Sequence, residues 1–326
     1  MLLLLIFLIL ILIIVLQNKK IETFQNTNYN QIILNKQRIK NSNFDYNFEN
    51  VKKNYAKHNK SLALFEIKNN KILLLKSKKI NPKIHKKRIR FIKSLIKETL
   101  KDYKIPNMIF IVNLSDKIPD IEIPFLGCVF QKNKNCVAVP LNWWSYFGNS
   151  KYEFDSKEYL KKIKDYKRVD KVRSNKIIFR GSNNCQKRRN LMKIGNNNKI
   201  MDVKLPKNKK DSYFIPNKEI REKYQYYFVV RGRGEWTGSM NQFSLANGVL
   251  FIIEEDSKQP FELLLEPEQD YISIKKDLSN IQEQVNKTKD LKLMNKIREN
   301  LRLKTKFFEP NNLKNYIYLC LINLYN

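Results

Sequence analysis

The sequence predicts an α/β fold, and three observations carry that expectation. Residues 226–230 and 249–253 are short apolar runs that flank an Arg/Gly turn and a short helix closed by Asn247-Gly248. Residues 175–191 show the same order about fifty residues earlier: strand, Arg-Gly-Ser turn, helix. A third buried strand, at 108–114, follows a long amphipathic helix, so strands and helices alternate through much of the chain. Sheets built this way bind ligands beyond the carboxyl ends of their strands, which is where both turns fall.

Composition narrows the class. The chain has 326 residues, enough for two domains of ordinary size or one large α/β unit. A hydrophobic content of 42%, with 16 Tyr and 19 Phe, excludes general disorder. The net charge of +32 has the sign of a nucleic-acid binder. The lysines are spread along the chain, however, and the abundance of Lys, Asn, Ile, Tyr and Phe beside only 8 Gly is the skew of an A/T-rich coding sequence. No nucleic-acid partner is therefore expected; attraction to anionic membrane surfaces or acidic acceptors fits the charge as well. Four cysteines without a CxxC, and two histidines, give no structural zinc spacing. Cys128 and Cys136 either bridge across a hairpin or stand as thiols.

Residues 1–16 are an unbroken apolar run followed by Gln17-Asn18-Lys19-Lys20. At about 1.5 Å per residue the run is short for a bilayer of about 30 Å, but extension to residue 18 and lysine snorkelling let it span. No small-residue cleavage pattern follows, which favours a retained signal anchor over a cleaved peptide. The expected organisation is an anchor at 1–18 and a stem at 19–50. An N-terminal α/β domain at 51–165, a second α/β domain at 166–310 and a packing helix at 311–326 follow. Sequons at Asn59, Asn113 and Asn286 are compatible with a lumenal location, while the lysine-rich flank taken literally votes for the opposite orientation.

Order is expected from near Leu62, where residues 61–76 form a hairpin turning at Asn69-Asn70. Residues 83–102 carry Ile84, Ile89, Ile92, Leu95, Ile96 and Leu100 at helical spacing, with basic residues opposite. Strand 108–114 then ends in Ser115-Asp116, and a carboxylate there either faces a cleft or closes a turn. Residues 122–147 look irregular, and 157–171 form a charged helix. After the second Arg/Gly unit come a strand at 271–274, a helix opening on the capping-box pattern Ser279-x-x-Gln282, a helix at 290–305, and an apolar helix at 313–325. The turn from Arg231 through Gly232, Arg233 and Gly234 holds the parts of a phosphate site, namely glycines, guanidiniums and a helix N-terminus, or it is simply a loop.

Five blocks in order resemble the glycosyltransferases of family 90, which include protein O-glucosyltransferases and fungal capsule xylosyltransferases. They are Ile105-Pro106 with Asn113, Asp116 and Pro119; Val137-Ala138-Val139-Pro140 with Trp143-Trp144; Phe179-Arg180-Gly181-Ser182 with Arg188; Lys223-Tyr224-Gln225-Tyr226 through Gly248 to Ile253; and Tyr271 with Asp277-Leu278-Ser279. The resemblance runs from about residue 104 to 284. It implies a GT-B fold, two Rossmann-like domains facing a cleft, and inverting transfer of a sugar, glucose or xylose, from a UDP-sugar to a protein or glycan hydroxyl. It implies no metal, in keeping with the lack of an Asp-x-Asp. Asp116 takes the place of the family's base; Arg180, Gly181, Ser182 and Arg188 take the place of the UDP-binding turn. The family's helix arginine aligns with Ser239, so Arg231 or Arg233 is expected to supply that charge, and Asp270 replaces a family histidine. The expected protein is a type II membrane protein of an ER- or Golgi-like lumen; the alternative is an inactive relative that binds glycans or proteins.

Overall fold

The computed structural model describes residues 30–35, 48–58, 61–78, 82–132, 134–145, 147–167, 173–208, 210–232 and 237–325. The expected anchor at 1–18, the sequon at Asn59, and Arg233 with Gly234 lie outside the described residues. Among the described residues, no helix is long and apolar enough to cross a membrane.

The described residues form two five-stranded sheets. The N-terminal sheet contains β1 (Leu62–Lys68), β2 (Lys71–Ser77), β3 (Met108–Asn113), β4 (Phe125–Gly127) and β6 (Cys136–Ala138), in the order β2-β1-β3-β4-β6. β1 pairs antiparallel with both β2 and β3, whereas β3, β4 and β6 run parallel. Asn69 and Asn70 both take positive φ, 51° and 58°, which is the backbone a two-residue hairpin turn requires. The hairpin therefore forms where the sequence places it.

The second sheet contains β7 (Ser174–Arg180), β8 (Met201–Lys204), β9 (Tyr224–Val229), β10 (Val249–Ile253) and β12 (Ile272–Ile274). Every pairing in it is parallel, and the order is β12-β10-β9-β7-β8. The chain thus starts in the interior of the sheet, steps outward to β8, then returns to the other side of β7 to lay down β9. A parallel sheet wound this way has a switch point between β7 and β9, where consecutive connections leave in opposite directions and open a crevice.

Alternation along the strands sorts side chains between layers. Tyr227, Val229, Leu250 and Ile252 enter one core; Tyr226, Phe228, Val249, Phe251 and Ile253 enter another with Met294 and Ile297 of helix α8 (Leu291–Lys304). The first core continues through Phe65, Phe110 and Val112 of the N-terminal sheet, so the two sheets share one apolar interior. The opposite face of the N-terminal sheet, Leu64, Ile109 and Ile111, is covered by Val51 and Tyr55 of helix α1 (Phe48–Lys57).

Two features join the halves. A ribbon pairs β5 (Phe130–Gln131) with β11 (Ser257–Lys258), and the last helix, α9 (Pro310–Tyr325), packs on α2 (Pro82–Asp102). There Tyr318 stacks on Tyr103 at 4.6 Å, the Tyr316 hydroxyl donates to the Ala138 carbonyl, and Lys314 pairs with Asp102.

Several expectations change. Order begins before Leu62: α1 covers 48–57, and the helical segment 30–35, inside the expected stem, buries Ile33 and Leu34 in the shared core. The stretch 122–147 is not irregular throughout, since β4 and β6 extend the sheet there. On α2, Ile84 is exposed, while His85 and Arg88 lie on the buried side. The box Ser279-x-x-Gln282 does not cap a helix; helix α7 (Ile281–Asn286) starts after Asn280 with no side-chain cap, and Asn280 Oδ1 instead accepts from Lys275 N at 2.9 Å. Cys128 and Cys136 are thiols, donating to the carbonyls of Ser115 and Val129. Asn113 is buried and its amide holds the Lys117 carbonyl at 2.8 Å, so the folded chain does not present that sequon.

Candidate functional site

The two Arg/Gly turns meet at the switch point. Phe179 and Arg180 end β7 and Gly181 and Ser182 follow it, while Val230, Arg231 and Gly232 follow β9. Helix α4 (Gln186–Asn196) opens beside them, with Cys185 at its N-cap position and no side-chain cap on its first turn. The aligned peptide dipoles make that end of the helix favour an anion.

Arg188 on this helix ties the turns together. Its guanidinium donates to the Ser182 carbonyl at 3.0 Å and hydroxyl at 3.2 Å, and on the other turn to the Val230 carbonyl at 2.9 Å. It lies over the Phe179 ring at 5.3 Å. Burial pulls its pKa below the ordinary arginine value, yet the group stays charged at neutral pH. The glycines are required by close approach: a Cβ at Gly232 would stand 2.7 Å from the Asn184 amide, and one at Gly181 2.6 Å from the Phe179 ring. Neither takes positive φ.

The other two arginines are engaged within the protein. Arg180 turns back along the sheet to Asp202 on β8, with Nη2 2.8 Å from Oδ1 and Nη1 2.8 Å from its carbonyl. The Tyr224 hydroxyl donates to the other Asp202 oxygen at 2.6 Å. Burial raises the Asp202 pKa, but the bonds from Tyr224 and Arg180 outweigh it and leave the carboxyl below its usual value. Burial, with Asp202 beside it, pushes the Tyr224 phenol up to about 12. Arg231 is buried in an ion pair with Glu262 and also donates to the Ser257 carbonyl and hydroxyl. Arg180 and Arg231, which the sequence reading assigns to a diphosphate, are thus both ion-paired to carboxylates of the fold. Ser239, first residue of helix α6 (Ser239–Leu245), shares a 2.8 Å hydrogen bond with the Thr237 hydroxyl.

Asp116 stands beyond the carboxyl end of β3, on the N-terminal sheet. The turn is shaped by Asn113, whose Oδ1 accepts from Ser115 N at 3.0 Å. Arg88 of α2, 6% exposed, binds Asp116 Oδ1 with one nitrogen and the Leu114 carbonyl with another. The Asp116 side chain remains 40% exposed, so one oxygen is anchored while the carboxylate still meets solvent. This arrangement suits a carboxylate that receives a proton from outside the fold.

Sequence reasoning missed Arg88, Asp202 and Glu262. Arg88 carried a usable signal: it precedes Ile92 and Leu95 by four and seven residues, which puts a charge on the apolar stripe and demands a partner. Asp270, where the family pattern has a histidine, is buried and accepts from Glu266 N at 2.9 Å, fixing the bend before β12. No protein-family model matches the chain, and no curated protein matches its sequence.

Proposed function

We propose that the chain is an inverting, metal-independent glycosyltransferase of GT-B type that moves a sugar from a UDP-sugar to a hydroxyl of a protein or glycan, anchored in the membrane by residues 1–18. The observation that carries this reading is the uncapped start of α4 at the switch point of an all-parallel sheet, with Arg188 bracing both turns around it. Such a place favours a diphosphate: backbone N–H groups and a helix end meet the oxygens, and Arg188 adds positive charge. Asp116, at the end of a strand of the N-terminal sheet, is the base in this reading. It takes the proton of the acceptor hydroxyl as that oxygen attacks the anomeric carbon, while the bond to the UDP oxygen breaks and the pair leaves with the diphosphate. One base and no covalent nucleophile give inversion.

A second reading has its own support. Arg180 and Arg231 are both occupied by carboxylates, and a serine stands where the family pattern has an arginine. That set favours a relative that binds a nucleotide sugar or a glycan without transferring it. Thermal shifts with a panel of UDP-sugars, followed by transfer and hydrolysis assays on wild type and Asp116→Asn, separate the two. Binding that persists while turnover vanishes in Asp116→Asn supports transfer. Binding without turnover supports the second reading, and no binding of any UDP-sugar sinks both nucleotide readings.

A further inference from the structure

We infer that the outer edge of the N-terminal sheet, together with the exposed face of α2, is a docking surface for an anionic lipid membrane, separate from the crevice described above. Among the described residues, β2 is an edge strand, paired on one side only to β1. Leu73, Leu74 and Leu75 are 45%, 36% and 40% exposed, so consecutive leucines protrude on both faces of the strand. Isolated exposed leucines are ordinary; three in a row on an unpaired edge are not.

Beside this edge runs a cationic row. Lys86, Arg90, Lys93, Lys97 and Lys101 are exposed at spacings of four, three, four and four, which lines them along one face of α2 over about 22 Å. Lys101 is balanced by Glu98 at 2.6 Å; the other four have no carboxylate partner among the described residues. Glu66 lies opposite Leu73 on β1. The strand and the row meet in a groove of about 420 Å³ bordered by Asn70, Lys71, Ile72, Lys93, Lys97 and Lys101. Lysine tips over an apolar rim match a bilayer surface, where phosphates and carboxylates lie just outside the acyl region.

An extended acidic peptide adding to the β2 edge is the competing occupant. It would satisfy the edge amides, but its own side chains would stand beside the leucines instead of covering both faces of the strand. A surface that meets the edge end-on receives leucines from both faces at once and the cationic row with them. The lipid surface accounts for more of what is exposed.

The test uses the full chain in nanodiscs of phosphatidylcholine alone or with about one third phosphatidylserine, read by amide hydrogen exchange over residues 71–77. Expected is exchange about ten-fold slower on the anionic discs, with the difference lost in about 0.5 M NaCl and in Lys93→Glu/Lys97→Glu. Leu74→Ser should lose part of the protection at unchanged circular dichroism. Because both lysines are exposed, a Lys93→Gln/Lys97→Gln pair with an intermediate effect separates charge from folding. Equal exchange on the two discs overturns the proposal. So does protection by a polyglutamate-containing peptide that anionic discs fail to reproduce.

Discussion

Replacing Arg231 by methionine distinguishes a structural guanidinium from a ligand-binding one. Arg231 and Glu262 are 5% and 2% exposed and pair directly; Glu262 Oε2 also accepts from Gln259 N, at 3.2 Å, and Lys258 approaches its other oxygen at 3.3 Å. Breaking a buried ion pair by removing one partner costs about 3–5 kcal/mol, because the surviving charge is left in a poor solvent. Lys258 remains to neutralise part of it, so the lower end, about 3 kcal/mol, is expected. Urea unfolding by two probes reads that loss as a shifted midpoint at unchanged slope. Glu262→Leu alone should cost a similar amount, and the double variant should recover at least about 1 kcal/mol of the sum. If Arg231→Met keeps its stability within about 1 kcal/mol and instead loses affinity for UDP, the ion pair is not its role and the reasoning fails.

Three further outcomes follow from the geometry. Gly248→Ala should destabilise by about 2–3 kcal/mol: the new Cβ would lie 2.0 Å from the Tyr227 ring, which is stacked on Phe243 at 4.2 Å and cannot retreat. A thermal melt indistinguishable from wild type would contradict that packing. Asp202 has its folded pKa depressed, so its contribution is present at neutral pH and lost as pH falls below the ordinary aspartate range and through the lowered folded value. Asp202→Asn should therefore flatten the acid limb of stability against pH, and identical acid limbs would count against the Tyr224–Asp202–Arg180 cluster. Arg88 holds Asp116 and the Leu114 carbonyl through separate nitrogens, a fork lysine cannot reproduce. If Asp116 is the base, Arg88→Lys should lower kcat about 10–100-fold with KM little changed, and a fall in KM-limited turnover alone would argue against positioning.

Much of the architecture was legible in the chain. β3, β9 and β10 are apolar runs because each lies inside a sheet covered on both faces, and Asn69-Asn70 marks its hairpin by the backbone it tolerates. β4 and β6 were not legible: three residues each are too few to show a period, and only the neighbouring β3 makes them strands. At the site, the turns were visible but their wiring was not. The partners of Arg180 and Arg231 lie 22 and 31 residues away, on another strand and in a short 3-10 helix, and no local pattern connects an arginine to a carboxylate at that range. Motif spacing locates a charge; only the folded neighbours say whether it is already spent.

The final helix also sets a timetable for biosynthesis. Its Tyr316 bonds to Ala138, 178 residues earlier, and Leu313, Ile317 and Leu321 fill the same core as Phe65 and Phe110. At about 5–20 residues per second, the first sheet leaves the ribosome roughly 10–35 s before the wall that closes it. Through that interval the nascent chain carries an open apolar face. The half made first is thus the half completed last, and a chain stopped before Pro310 should stay bound to chaperones where the full chain is released.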